Sequence, residues 1–285
     1  MANILTGDEK DLGGFTVSRL LPHRDKKMVG PFIFFDRMGP ADFPAGSGIN
    51  VRPHPHIGLA TVSYLFSGSM LHRDSLGSVQ EIFAGDVNWM TAGHGIVHSE
   101  RETLEVRTQS HHLHGLQMWV ALPPEHEKTD PDFTHVAKNA LPCIYRPGVM
   151  MRVLVGSAFG RQSPVRTFSP MFYLDVVADK NAVLEHPDRS MEAAAFIVNG
   201  TLDIGGHQYR AGDFVLLEAQ DCELTALENC RFMLLGGKKF DRTPYINWNF
   251  VAYDRATLDA ARDRWRRGGF PAIPGDDLEH IPLPQ

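Results

Sequence analysis

His54 and His56 flank Pro55, and His98 and Glu100 flank Ser99. Successive side chains of a β-strand point to opposite faces, so each pair looks one way, its members about 6.6 Å apart along the strand. Two such strands brought face to face would offer three imidazoles and a carboxylate to one divalent metal. Neutral nitrogens with a carboxylate and no thiolate suit Fe(II), Mn(II), Ni(II), Cu(II) or Zn(II), and affinity order alone does not choose between them. A six-coordinate ion on these four ligands would keep two positions open for water, substrate or dioxygen, which permits catalysis. A closed tetrahedral zinc would instead be structural.

Other histidines compete less well. Ser110 to His114 also contains a His-x-His pair, His112 and His114, but no second pair answers it, so the cluster reads as surface or strand-end histidines. His94, between Gly93 and Gly95, is expected in a turn near the site. His72 is expected either at the cavity wall or on a strand surface.

The elements that must position these residues read as short strands. Ala60 to Phe66 is rich in β-branched and aromatic residues and stops at Ser67-Gly68; Met70 to Asp74, Val79 to Phe83 and Val87 to Met90 follow, separated by turn signals. Leu116 to Leu122 is another strand, ended by Pro123-Pro124. This pattern predicts an all-β sandwich or barrel. The polar stretch Glu125 to Pro131 is the expected domain boundary, giving domains 1–130 and 131–285.

The second half repeats the first. Ala211-Gly212-Asp213 before an apolar strand matches Ala84-Gly85-Asp86, and Asn199-Gly200 matches Ser67-Gly68. Fourteen and twelve residues before Gly68 stand His54 and His56; the same offsets from Gly200 give His186 and Asp188, with a proline between in both cases. Thirteen and fifteen residues after Gly85 come His98 and Glu100, whereas Gly212 gives Thr225 and Leu227. Two tandem β-domains are expected, the first metal-competent and the second degenerate. One helix is expected late, capped by Asp254, with Leu258, Ala261, Arg262 and Trp265 on one side and Gly268-Gly269 at its end. The proline-rich tail from Phe270 reads as an extended strap without chemistry.

The composition is that of a soluble globular protein, with 43% apolar and 22% charged residues, and the net charge of −6 argues against a sequence-independent grip on nucleic acid or anionic membrane. The N-terminus lacks a secretory pattern and no run would span a bilayer. Three cysteines, Cys143, Cys222 and Cys230, are too few for a disulfide framework, although the last two could meet across a hairpin. The cytoplasm is the expected compartment.

Longer motifs carry a family resemblance. His54-Pro-His-Ile-Gly-Leu-Ala-Thr-Val-Ser-Tyr64, His72-Arg-Asp-Ser-Leu-Gly77, Gly85 through Glu100 and Gly115-Leu-Gln-Met-Trp-Val-Ala-Leu-Pro123 run along the pattern of the pirins, in the cupin superfamily. The chain departs from that pattern at Ile57, Ala60 and Asn88, where pirins usually carry Arg, Glu and Gln. The resemblance implies a bicupin of two jelly-roll-like antiparallel β-barrels with a short C-terminal helix. It implies Fe(II) in the first barrel on His54, His56, His98 and Glu100. It further implies quercetin 2,3-dioxygenase-like activity on a small aromatic substrate with dioxygen. For such a reaction Glu100, a carboxylate beside the expected cation, is the candidate proton acceptor. Phe34, Phe35, Trp89 and Met90 are possible lining. The alternative the family also implies is a metal-dependent co-regulator that binds a protein partner. A monomer is expected.

Overall fold

A computed structural model describes residues 4–11, 15–218, 220–221 and 223–284. Strands make up 53% of it and helices 7%, so the all-β expectation describes the architecture. The chain forms two compact units that interleave along the sequence. One comprises Met1–Gly7, Leu20–Ile33 and Asn139–Phe240; the other comprises Asp8–Arg19, Phe34–Lys138 and Asp241–Gln285 and holds both the His54/His56 and the His98/Glu100 pair.

This division differs from the single cut expected at 130/131. Glu125 to Pro131 is no linker: Pro124–His126 forms a 3-10 turn, and Asp132–Val136 then adds a strand to the sheet by pairing with Val87–Thr91. The late helix and tail, expected with the second half, belong to the site-bearing unit. The reason is apolar burial: Phe250, Leu258, Phe270 and Ile273 pack with Ile57 and Val97 in one buried cluster.

The site-bearing unit has two sheets. The larger runs Asp132–Val136, Val87–Thr91, Leu59–Ser67, His111–Ala121, Phe32–Phe43, Thr16–Leu21 and Asp8–Asp11; the smaller runs Asn50–His56, Ile96–Arg101, Ser69–Asp74 and Val79–Phe83. Leu59–Ser67 lies inside the larger sheet with its first seven residues buried, so both of its faces are covered, including the one that carries Thr61 and Ser63. Gly58 makes the turn into it at φ +69°, where a Cβ would stand 2.0 Å from the carbonyl oxygen of Val251.

In the other unit, the four-stranded sheet Val183–Glu185, Glu223–Ala226, Thr201–Ile204 and His207–Arg210 has the same strand order as the smaller sheet of the site-bearing unit. The repeat seen in the sequence is thus a repeat of topology, but the His-Pro match does not survive in detail. His98 pairs with His54, whereas Thr225 pairs with Val183, and the strand ends at Glu185 before His186 is reached. Offsets counted from a turn glycine do not register how early a strand stops.

The helix spans Arg255–Arg266, with the Asp254 side chain accepting from the Thr257 N–H at 2.8 Å as the capping argument requires. A single helical turn at Leu104–Arg107 is an addition to the expected elements. Among the described residues no helix is long and apolar enough to cross a membrane. Cys143 and Cys230 are free thiols; Cys222, and with it the hairpin pairing, lies outside the described residues.

Candidate metal centre

Asn50–His56 and Ile96–Arg101 are adjacent antiparallel strands, with His98 directly opposite His54 and Ile96 opposite His56. Alternation then turns His54, His56, His98 and Glu100 to one face. All four are buried, at 6%, 1%, 0% and 7% exposure. The three histidines form a group whose ligand atoms lie within 4.8 Å of one another and could hold a metal ion. Glu100 is not in that group. Its Oε1 accepts from Gln117 Nε2 at 2.8 Å and lies 3.5 Å from the Ser63 hydroxyl.

The hydrogen bonds orient two of the rings. His54 Nδ1 lies 2.8 Å from the Arg52 carbonyl and His56 Nδ1 3.2 Å from the Asn249 carbonyl. A carbonyl only accepts, so Nδ1 carries the proton in both and Nε2 is left with a lone pair. His56 Nε2 and His98 Nε2 stand 3.1 Å apart. Two nitrogens bonded to one ion at about 2.0–2.1 Å and at right angles would be about 3 Å apart, so the donor set fits a single ion. His98 Nδ1 is buried without a hydrogen-bond partner among the described residues, and the ring is held by packing, 4.3 Å from His54 and 5.4 Å from His72 between centroids.

Burial also sets protonation. It holds the His54 imidazole down to about 4, and the His56 and His98 imidazoles well below their ordinary value, with neighbouring histidines adding to the effect. All three are therefore neutral near pH 7, the form that ligates metals. Glu100 is pushed the other way: burial raises its pKa against the opposing hydrogen bond from Gln117.

The larger sheet supplies the facing wall. In register across it lie Gln117, Ser63, Asn88 and His135, and beside them Trp119, Thr61, Met90 and Phe133. Ser63 donates to Gln117 Oε1 at 2.7 Å, and His135 Nδ1 lies 2.7 Å from Asn88 Oδ1. This polar row leads to Glu100. Trp119 stacks on Phe34 at 4.0 Å and meets His56 edge-on at 5.1 Å. Of the four expected lining residues, Phe34 and Met90 share this face, and Trp89 and Phe35, one step along their strands, turn to the other.

The remaining histidines disperse. His72 is buried rather than on the strand surface, 2.9 Å from Asp74 and stacked on Phe133. His94 is half exposed beside Asp130. His111 pairs with Glu102 and His112 with Asp42, so the Ser110–His114 cluster makes no joint site. Gln117, Ser63 and the Asn249 carbonyl escaped the sequence reading. Gln117 had a faint signal, a polar residue between apolar neighbours in a buried strand.

Two antiparallel β-units of repeated topology, one presenting a three-histidine centre, are the arrangement of a two-domain cupin. Residues 14–120 match the family described as Pirin, and residues 173–271 match the Pirin C-terminal cupin domain. A pirin-like protein of Caulobacter vibrioides is 42% identical over 97% of this chain and 96% of its own length. The chain belongs to the pirin family. The crystal structure of a quercetin 2,3-dioxygenase from Acinetobacter baumannii superposes with a TM-score of 0.91 at 34% identity, covering 100% of this chain and 95% of that one. A bacterial pirin of Escherichia coli in complex with nickel(II) shares the fold, with a TM-score of 0.67 at 18% identity over 84% of this chain and 100% of that one.

Proposed function

We propose that the chain is a metal-dependent dioxygenase opening the ring of a flavonol or a related enolisable aromatic compound. His54, His56 and His98 would hold one divalent ion, Fe(II) being the proposed metal and Mn, Ni, Cu or Zn the chemically permitted alternatives. Glu100 would serve as fourth ligand or as proton acceptor. One observation carries the reading: three imidazoles kept neutral by burial converge beside a buried carboxylate. Similarity to a quercetin 2,3-dioxygenase along the whole chain supports the substrate class.

A divalent ion bound there supplies a Lewis acid for the substrate hydroxyl and, when redox-active, a route for electrons to dioxygen. The protein's residues do the rest. With Oε1 held by Gln117, Oε2 of Glu100 is the oxygen left to take the hydroxyl proton. The Trp119–Phe34 stack offers a flat apolar wall to a planar ring and, with Met90 and Phe133, excludes water.

The test is oxygen uptake with quercetin by protein loaded separately with Fe(II), Mn(II), Ni(II) and Cu(II). Metal-dependent uptake that is lost in His56→Ala is expected. No metal-dependent uptake with any ion would refute the enzyme reading for this substrate and leave the metal-dependent protein-binding module as the reading to pursue.

A further inference from the structure

The tail beyond residue 271 lies outside both family matches, yet it grips the strand that carries His98 and Glu100. Ser99 and Arg101 point away from those two ligands, to the back of the strand. There Asp276 accepts from Arg101 Nε at 2.9 Å, from Arg101 Nη2 at 2.8 Å and from the Ser99 hydroxyl at 2.7 Å. The Arg101–Asp276 contact is a two-pronged, charge-assisted pair, the geometry that best fixes a side chain. Its two anchor points straddle Glu100.

The grip falls on an irregularity. From His98 to Glu100 the strand takes two steps, while its partner takes three, from His54 to Val51. The extra residue of such a bulge interrupts the ladder, and a register change of one residue would turn a ligand to the wrong face. The tail bridges both strands at this point: the Ile281 N–H donates to the Pro53 carbonyl at 2.9 Å, and Glu279 accepts from Arg101 Nη2 at 3.1 Å. Ile273 is buried in the same cluster as Val97, and Trp265 Nε1 donates to the Ile281 carbonyl at 3.0 Å, so the tail is tied down on either side of Asp276.

We propose that Asp276 is a positioning residue, through which the C-terminal tail clamps, from behind, the strand that faces the bulge and sets His98 and Glu100 against His54 and His56. This rests on the reading of those residues as a metal centre. Asp276 touches no ligand; it acts through Ser99 and Arg101. Side chains that hold metal ligands in place from one layer out typically account for about 10–100-fold in metal affinity, and a loss in that range is expected on removing the clamp.

The experiment compares full-length wild type, Asp276→Asn and Asp277→Asn. Ni(II) affinity is read by competition with a chelator, the visible spectrum with Co(II), and the thermal transition without metal. Asp277 is exposed and next in sequence, so its variant controls for lost charge. The expected result is a roughly tenfold or greater loss of Ni(II) affinity and an altered Co(II) spectrum in Asp276→Asn alone. If Asp276→Asn fails to fold, Ser99→Ala and Arg101→Lys loosen the clamp more gently and are judged by the same two readouts. Wild-type affinity and spectrum with only a lowered thermal transition would make the clamp merely structural and overturn the proposal. Wild-type protein that binds neither ion would overturn the metal centre itself, and the clamp with it.

Discussion

Acid should destabilise the metal-free protein through its buried imidazoles, well above the pH at which carboxylates titrate. His54 has its pKa lowered from 6.5 to about 4. The unfolded chain therefore binds a proton at this residue below pH 6.5, while the folded chain refuses it until about pH 4. Its stabilising contribution is complete above pH 6.5 and falls away as pH drops through that window. One pKa unit corresponds to about 1.4 kcal/mol, so His54 alone should lose about 2 kcal/mol by pH 5 and about 3 kcal/mol in all. His56 and His98 act in the same direction; Glu100, whose pKa is raised, opposes them as its carboxylate protonates. The assay is urea denaturation of chelator-treated protein at several pH values, followed by tryptophan fluorescence. All four tryptophans, Trp89, Trp119, Trp248 and Trp265, lie in the site-bearing unit, so the signal reports on that unit alone. His54→Gln should flatten the loss between pH 7 and 5 by about 2 kcal/mol. The same pH dependence in variant and wild type would refute the reasoning.

Three further outcomes follow from individual contacts. Gln117→Leu removes the donor that lowers the Glu100 pKa, so the acid limb of the pH–rate profile should move to higher pH; an unmoved limb would separate Gln117 from Glu100 protonation. Gly58→Ala places a Cβ against the Val251 carbonyl at positive φ and should destabilise by about 1–3 kcal/mol or more, read by denaturant midpoint. Asp254→Ala should cost about 0.5–2 kcal/mol through the lost helix cap, and a change below the measurement error would show that the Thr257 N–H finds another acceptor.

The shared face of the candidate residues was legible because strand geometry has a period of two. His54, His56, His98 and Glu100 needed only that period and two turns to share a face, and Asp254 needed only the capping preference. What escaped reading depends on register between distant segments. Gln117 reaches Glu100 across the two sheets of the unit, and no local pattern states which residues of one sheet will face the other. The same one-residue sensitivity puts Met90 on the site face and Trp89 on the other. Asn249 acts through a backbone carbonyl, which side-chain identity does not announce. The tail read as inert because its prolines preclude regular structure, yet a chain without regular structure can still bring Asp276 to Arg101. The interleaved units were hidden for the same reason: Glu125 to Pro131 is polar like a linker, although the strand it leads into completes a sheet.

The central claim is that one ion is held by His54, His56 and His98, with Glu100 at its side. The most direct measurement is an anomalous difference map from crystals grown with Ni(II) and recorded at the nickel edge. A single strong peak at bonding distance from the Nε2 atoms of His54, His56 and His98 is predicted. A map with no peak among these three imidazoles, or with its strongest peak at His111, His112 or His94, would contradict it.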